Sequence, residues 1–267
     1  MAAQESFNRV EKKYVLTKNQ FEGLMERIGE HIKEDEYFFS KICNVYYDAS
    51  DFGLIRHSIE KPVYKEKLRL RSYNVPNKDT NVFIEIKKKY DGIVYKRRIT
   101  LPLAEAENYL DNDVRPTTPV NEQILREIDY FKQNHQVEGK MFIAYDRSAY
   151  VSSEDSSLRI TFDANLRARE SEISLENGDD GRYFFENDER VMEIKSIGAY
   201  PRWMVDALNE LEIYPASFSK YGSFYKEKVT AENPVYDRLK ERVSKKSNIK
   251  GFKHSRVNLW KAYTVSA

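Results

Sequence analysis

Between Lys65 and Tyr73 the chain alternates cations with other residues: Lys65, Lys67, Arg69 and Arg71 fall on every second position, with Leu68 and Leu70 between. The same period of two recurs elsewhere. Glu85, Lys87 and Lys89 alternate with Val82, Ile84 and Ile86, and Glu193 and Lys195 with Met192 and Ile194. Arg159, Thr161, Asp163, Asn165 and Arg167 oppose Ile160, Phe162, Ala164 and Leu166, while Glu11 and Lys13 share a face near the start. Successive side chains of a strand point to opposite faces, so each segment predicts a strand with one charged and one apolar face. One such strand needs no function, because an antiparallel sheet commonly has a solvated side. A solvated side mixes Ser, Thr, Gln, Lys and Glu, however, and these faces repeat Arg-x-Arg and Glu-x-Lys.

If the sheet closes into a barrel, these faces can all point into its lumen. Lys13, Lys67, Arg69, Arg71, Lys87, Arg159 and Lys195 would then meet Glu11, Glu85, Asp163 and Glu193. Low-dielectric walls focus such a field. The outnumbered carboxylates leave the cations repelling one another, which implies a multiply charged anion as the missing component. Arg offers a planar fork matched to phosphate oxygens and Lys a mobile point charge, so a phosphate chain is the candidate ligand. The carboxylates Glu193, Glu11 and Glu85 read as ligands for a divalent metal, since Mg²⁺ usually takes one or two carboxylates plus phosphate oxygens. Asp163 stays open between that role and a salt bridge to neighbouring arginines.

The elements that must position these faces follow from periodicity. Strands are predicted over 8–16, 41–48, 63–73, 81–90, 93–101, 141–150, 158–168, 182–196 and 216–226, with Asp91-Gly92 as a hairpin turn. After Thr17, a predicted N-cap, Phe21, Leu24, Met25, Ile28 and Ile32 follow helical spacing. Further helices are predicted from Pro119 to His135, after Pro201, and from Ala104 to Leu110. Strands with interspersed helices give an α+β fold, expected as a closed antiparallel barrel with flanking helices. A tunnel domain over 1–228 and a basic terminal helix and tail over 229–267 complete the expected organisation.

The ordered set of motifs resembles the catalytic domain of the vacuolar transporter chaperone (VTC) family of polyphosphate polymerases, within the triphosphate tunnel metalloenzymes. The matching stretches are Arg9-Val10-Glu11-Lys12-Lys13-Tyr14, Val45-Tyr46-Tyr47-Asp48, Lys67-Leu68-Arg69-Leu70-Arg71 and Phe83-Ile84-Glu85-Ile86-Lys87. Tyr145-Asp146-Arg147, Arg159-Ile160-Thr161-Phe162-Asp163, Val191-Met192-Glu193-Ile194-Lys195 and Phe218-Ser219-Lys220-Tyr221 follow. The resemblance implies an eight-stranded tunnel in which, with Mn²⁺ or Mg²⁺, the terminal phosphoryl of ATP is added to a growing polyphosphate. It places Arg69 and Arg71 on the nucleotide phosphates, Lys87, Arg147 and Arg159 along the tunnel, and Glu193 on the metal beside Lys195. Lys13, Ser219 and Lys220 complete the implied set, with Lys67 as a further substrate contact. Hydrolytic relatives open with Glu-x-Glu-x-Lys; here Arg9-x-Glu11-x-Lys13 replaces the first carboxylate with a cation, which disfavours a second metal and hydrolysis. The absence of a preceding regulatory domain or membrane segment suggests a free-standing, prokaryotic-type version. A tunnel triphosphatase and a non-catalytic polyanion-binding module are the alternatives.

Other chemistries find little support. The 267 residues carry 44 Lys+Arg against 43 Asp+Glu, which excludes a uniformly basic nucleic-acid coat. No apolar run approaches a membrane span and Met1 to Ser6 show no secretory pattern, so a cytoplasmic location is expected. Cys43 stands alone, and His31, His57, His135 and His254 show no metal-ligand spacing. A Walker-type glycine loop is absent, so side chains must grip the phosphates.

Overall fold

The computed structural model describes residues 9–232. Strand β1 (Arg9–Leu16) leads through α1 (Lys18–Ile28) into the long β2 (Ile32–Asp48), then α2 (Gly53–Ile59). Strands β3 (Tyr64–Tyr73), β4 (Asn81–Tyr90) and β5 (Ile93–Pro102) follow, then α3 (Leu103–Asn112) and α4 (Glu122–His135). After β6 (Glu138–Ser152), β7 (Arg159–Arg169), β8 (Arg182–Tyr183) and β9 (Arg190–Ile197) come α5 (Arg202–Glu210) and α6 (Lys220–Glu232). The sheet is antiparallel, in the order β1-β9-β7-β6-β2-β3-β4-β5, with β8 on β7. Strands β1 and β5 are the ends of that path, and no ladder joins them among the described residues. The compact unit carrying the sheet ends at Phe224. From Tyr225 to Glu232 the chain continues as helix, with Lys228 Nζ 2.8 Å from Glu232 Oε1. The expected basic tail beyond Glu232 lies outside the described residues.

Two apolar clusters cover one side of the sheet. Leu68, Leu70, Val82, Ile84 and Ile86 pack with Ala106, Tyr109 and Leu110 of α3 and Leu125, Ile128 and Phe131 of α4. Tyr14, Leu16, Ile160, Phe162, Met192 and Ile194 pack with Leu24 and Ile28 of α1 and Met204, Ala207 and Leu208 of α5. Burying each large apolar side chain contributes about 1.5–3 kcal/mol, so the charged faces are forced to the other side. There the sheet curls on itself: Lys87 of β4 lies in the field of Glu11 and Lys13 of β1 and Glu193 of β9. Arg69, Lys87 and Arg159 sit on this concave side, as their alternation requires.

Local chemistry sets the boundaries. Thr17 and Gln20 form a capping box at α1, and Asn121 caps α4 through Gln123 N and Ile124 N. Asp91 and Gly92, both at positive φ (43° and 83°), turn β4 into β5. Ile32, expected as the last turn of the first helix, instead begins β2.

Further predicted features are corrected, the first being the single strand expected over 182–196, which is β8 and β9 with a break between them. The strand expected over 216–226 is α6: Ser219 Oγ accepts from Gly222 N at 3.3 Å as an N-cap, and Tyr221 and Phe224 are buried. In β7 the register shifts opposite Ala144–Asp146, with Asn165 at φ 52°. Such a bulge reverses the facing of everything beyond it. Arg167 therefore leaves the concave face and joins Asp146, Asp179 and Lys41 on the convex side.

Candidate active site

The concave face holds three charge clusters. Around Glu85, Arg69 Nε donates to Oε2 at 2.6 Å, Lys96 Nζ lies 2.6 Å from Oε1, and Arg71 Nε lies 3.5 Å from Oε2. Burial pushes this carboxyl up, but Arg69, Arg71 and Lys96 outweigh it and hold it at about 2. Arg69 Nη1 also donates to Tyr46 Oη at 3.3 Å, and Arg71 Nε donates to Asn44 Oδ1 at 3.0 Å. The arginine pair is thus locked in place while Arg69 keeps an accessible edge.

The second cluster surrounds Asp163, which is completely buried. Arg147 donates to both its oxygens at 2.6 and 2.8 Å, and Lys220 Nζ donates to Oδ2 at 2.5 Å. The ambiguity over Asp163 closes in favour of the salt bridge. Tyr145 lies beneath these cations, its ring centroid 4.3 Å from Lys220 Nζ and 5.4 Å from the Arg147 guanidinium.

The third pairs β1 with β9. Lys13 Nζ stands 3.7 Å from both Glu11 Oε1 and Glu193 Oε2, and Lys195 Nζ is 2.6 Å from Glu193 Oε1. Burial raises the Glu193 carboxyl, but Lys195 and Lys13 outweigh it and bring it to about 2. Glu11 and Glu193 therefore converge on the Lys13 ammonium, whereas Glu85, the third carboxylate expected on a metal, is held among Arg69, Arg71 and Lys96. Among the described residues no group of three or more His, Cys, Asp or Glu side chains is arranged to hold a metal ion.

Between these clusters stand cations that no described carboxylate contacts directly. Lys67 Nζ donates to Ser219 Oγ at 3.2 Å, and Lys87 has no ion-pair partner among the described residues. Burial, with Lys65, Lys87 and Lys13 nearby, pushes the Lys67 ammonium down to about 8. Burial lowers Lys87 too, although water reaches it; both conditions hold for a side chain projecting into a narrow wet cleft. Arg159, near one rim, pairs with Asp35.

Each sequence-predicted residue thus lies on the concave face or, for Ser219 and Lys220, on the helix entering it. Lys96 and Arg98 were missed. Their signal was the alternation Lys96-x-Arg98-x-Thr100, and the register places Lys96 opposite Lys87 and Arg98 opposite Glu85. The profile of the VTC domain family matches residues 8–227. The chain belongs to the VTC domain family. No curated protein sequence matches it. Solved structures similar to this VTC domain include an adenylate cyclase candidate from Bacillus halodurans, at 16% identity and TM-score 0.49, covering 79% of this chain and 93% of that one. An adenylyl cyclase candidate from Hippeastrum, described with a dominant triphosphatase activity, is 13% identical with TM-score 0.48, covering 82% and 96%. A Pyrococcus horikoshii protein is 12% identical with TM-score 0.42, covering 82% and 99%.

The helix bearing Ser219 and Lys220 is fastened to the VTC domain's sheet by Asp48. Its buried carboxylate accepts from Leu54 N and Ile55 N, at 2.9 and 3.0 Å, and from Tyr221 Oη at 2.9 Å. Tyr221 also stacks on Tyr46, the hydroxyl partner of Arg69, with ring centroids 4.8 Å apart. Tyr221→Phe is expected to cost about 2 kcal/mol of stability, the value of a hydrogen bond to a charged group. Denaturant unfolding measures this; a loss below about 0.5 kcal/mol would mean that Asp48 does not hold the helix.

Proposed function

We propose that this VTC domain is a polyphosphate polymerase that transfers the terminal phosphoryl of ATP to the end of a phosphate chain in the concave cleft. The observation that carries this reading is positive charge without a direct ion pair: among the described residues neither Lys67 nor Lys87, both facing one cleft, is in contact with a carboxylate. A phosphate chain would neutralise them, and the N-terminus of α6 adds partial positive charge beside Ser219. In the transfer, a terminal chain oxygen forms a bond to the γ-phosphorus. The bond from that phosphorus to its bridging oxygen breaks, and the electron pair leaves on ADP. Charge balances without proton release, so no general base is needed; positioning and charge stabilisation carry the step. Arg69 and Arg71, preset by Glu85, Asn44 and Tyr46, would hold the reacting phosphates. Lys13, Lys67, Lys87, Lys195, Arg147, Arg159 and Lys220 would hold the remainder.

Glu193 and Glu11 would hold a divalent ion. Two converging carboxylates fit Mg²⁺ or Mn²⁺ that completes its coordination with phosphate oxygens and water. When bound, the ion supplies charge neutralisation between phosphate oxygens. Incubating the purified protein with ATP and Mn²⁺ or Mg²⁺, then sizing the phosphate product, is the direct test. Long chains support the proposal; phosphate alone would replace it with a triphosphatase, and neither product with a polyanion-binding module. Glu193→Gln should lower metal-dependent turnover roughly 100-fold or more while ATP still binds without metal. An unchanged Mn²⁺ titration in that variant would remove Glu193 from the metal site.

Lys67 makes binding depend on pH. Its ammonium is charged below about 8 in the free protein, and a bound polyanion raises that value. Affinity for tripolyphosphate should therefore be highest below pH 8 and fall as the pH rises through it. Lys67→Arg, charged throughout, should lose less affinity between pH 7 and pH 9 than the wild type, as read by calorimetry. Identical pH profiles for the two proteins would show that Lys67 does not face the anion.

A further inference from the structure

The two mouths of the cleft differ in chemistry. At the mouth reached from the start of β3, the cross-strand partners Lys65, Lys89 and Val94 share the concave face, so these three positions offer two ammonium groups and no aromatic ring. At the other mouth, Tyr73 stands two residues beyond Arg71 on the same face, and Phe83 is the cross-strand partner of Arg71. Tyr73 and Phe83 meet edge to face, with centroids 5.8 Å apart and planes at 80°. The guanidinium of Arg98 lies over the Phe83 ring, 4.6 Å from its centroid. Tyr73 is 45% exposed and Arg98 is also exposed. Glu85, the cross-strand partner of Arg98, is engaged by Arg69 and Lys96, and Arg98 makes no ion pair among the described residues.

We propose that Tyr73, Phe83 and Arg98 form a stacking platform for the base of the donor nucleotide at the rim beside Arg71. The proposal rests on the polymerase reading in taking a nucleoside triphosphate as the donor. Such a molecule is aromatic at one end and polyanionic along the rest, the asymmetry of the two mouths. Nucleobases stack on aromatic rings and on guanidinium planes, and Arg98 presents such a plane already seated on Phe83. Stacking contributes about 1–3 kcal/mol per base and tolerates any base, so the platform favours nucleotides over inorganic triphosphate without selecting adenine.

Calorimetric titration with the non-hydrolysable ATP analogue AMP-PNP and, separately, with tripolyphosphate tests the platform, both without metal. Arg98→Lys keeps the charge and removes the plane, on an exposed edge strand where folding is unaffected; Phe83→Leu removes the ring. Each should weaken AMP-PNP binding about tenfold and change tripolyphosphate binding by less than about twofold. Affinities for the two ligands that fall together, or an AMP-PNP affinity unmoved in both variants, would overturn the platform. Chain extension is scored separately on the wild type. Selective loss of AMP-PNP binding together with a wild type that never extends a chain would remove the polymerase reading and leave the platform. Extension with an unmoved affinity ratio would remove the platform alone.

Discussion

Asp163→Asn is expected to destabilise the protein by about 3–5 kcal/mol, the cost of breaking a buried ion pair by removing one partner. Asp163 is fully buried and is the shared acceptor for Arg147 and Lys220, which approach from different elements. Asparagine keeps the shape but leaves two cations in a site that burial has already drained of water. The carboxyl is held well below the usual carboxylate range because Lys220 and Arg147 outweigh burial, which pushes the other way. A depressed carboxylate contributes stability that is complete above its unfolded value and is lost as the pH falls through its folded value. The wild-type contribution should therefore persist from neutral pH into strong acid and be missing throughout in the variant. Tripolyphosphate supplies replacement negative charge, so it should raise the melting temperature of Asp163→Asn more than that of the wild type. A loss below about 1 kcal/mol, with equal stabilisation of both proteins by the polyanion, would show that Asp163 is not the counter-ion for these cations.

The parts of the fold legible in the sequence are those fixed by local physics. The alternation of β3 and β4 is set by which residues can be buried, so their limits and facing could be read directly. The caps at Thr17 and the turn at Asp91-Gly92 depend on neighbours a few residues away. What stayed hidden depends on distant partners or on single backbone choices. Helix α2 follows Phe52 at φ 61° and is anchored by Asp48, several residues upstream, so seven residues without a clear stripe become helical. Helix α6 carries aromatics at Tyr221, Phe224 and Tyr225, with Phe218 just ahead of it; Ser219 as a cap decides for the helix, and the strand reading missed it. The bulge at Asn165 moves Arg167 to the convex face, which no period-two count can anticipate. Individual cations of the site were visible; their sharing was not. That Glu85 serves Arg69, Arg71 and Lys96 together, and Asp163 serves Arg147 and Lys220, follows only from the register and the curl of the sheet.

That sharing determines what removing the arginines should do. Arg69→Ala and Arg71→Ala are each expected to slow turnover about ten- to a hundredfold, the worth of a charge-assisted hydrogen bond of about 1.5–3 kcal/mol. Arg71 is nearly buried and donates to Asn44, whereas Arg69 keeps more contact with the cleft and donates to Tyr46 and Glu85. Truncating Arg71 therefore also leaves the buried Asn44 Oδ1 without its donor and should cost more stability than truncating Arg69. Arg69→Lys and Arg71→Lys separate charge from geometry, because lysine keeps the point charge and loses the fork. If the fork meets charge that develops on the transferred phosphoryl, the lysine variants should bind ATP nearly as well as the wild type yet turn over slowly. If the arginines serve ground-state binding, affinity and turnover should fall by the same factor. Glu85 couples the two sites, since each arginine removed leaves the other a larger share of its carboxylate. The double variant should therefore lose less than the product of the single losses. Strict multiplicativity would mean that Arg69 and Arg71 act on separate phosphates and that Glu85 serves only to fold the strand pair.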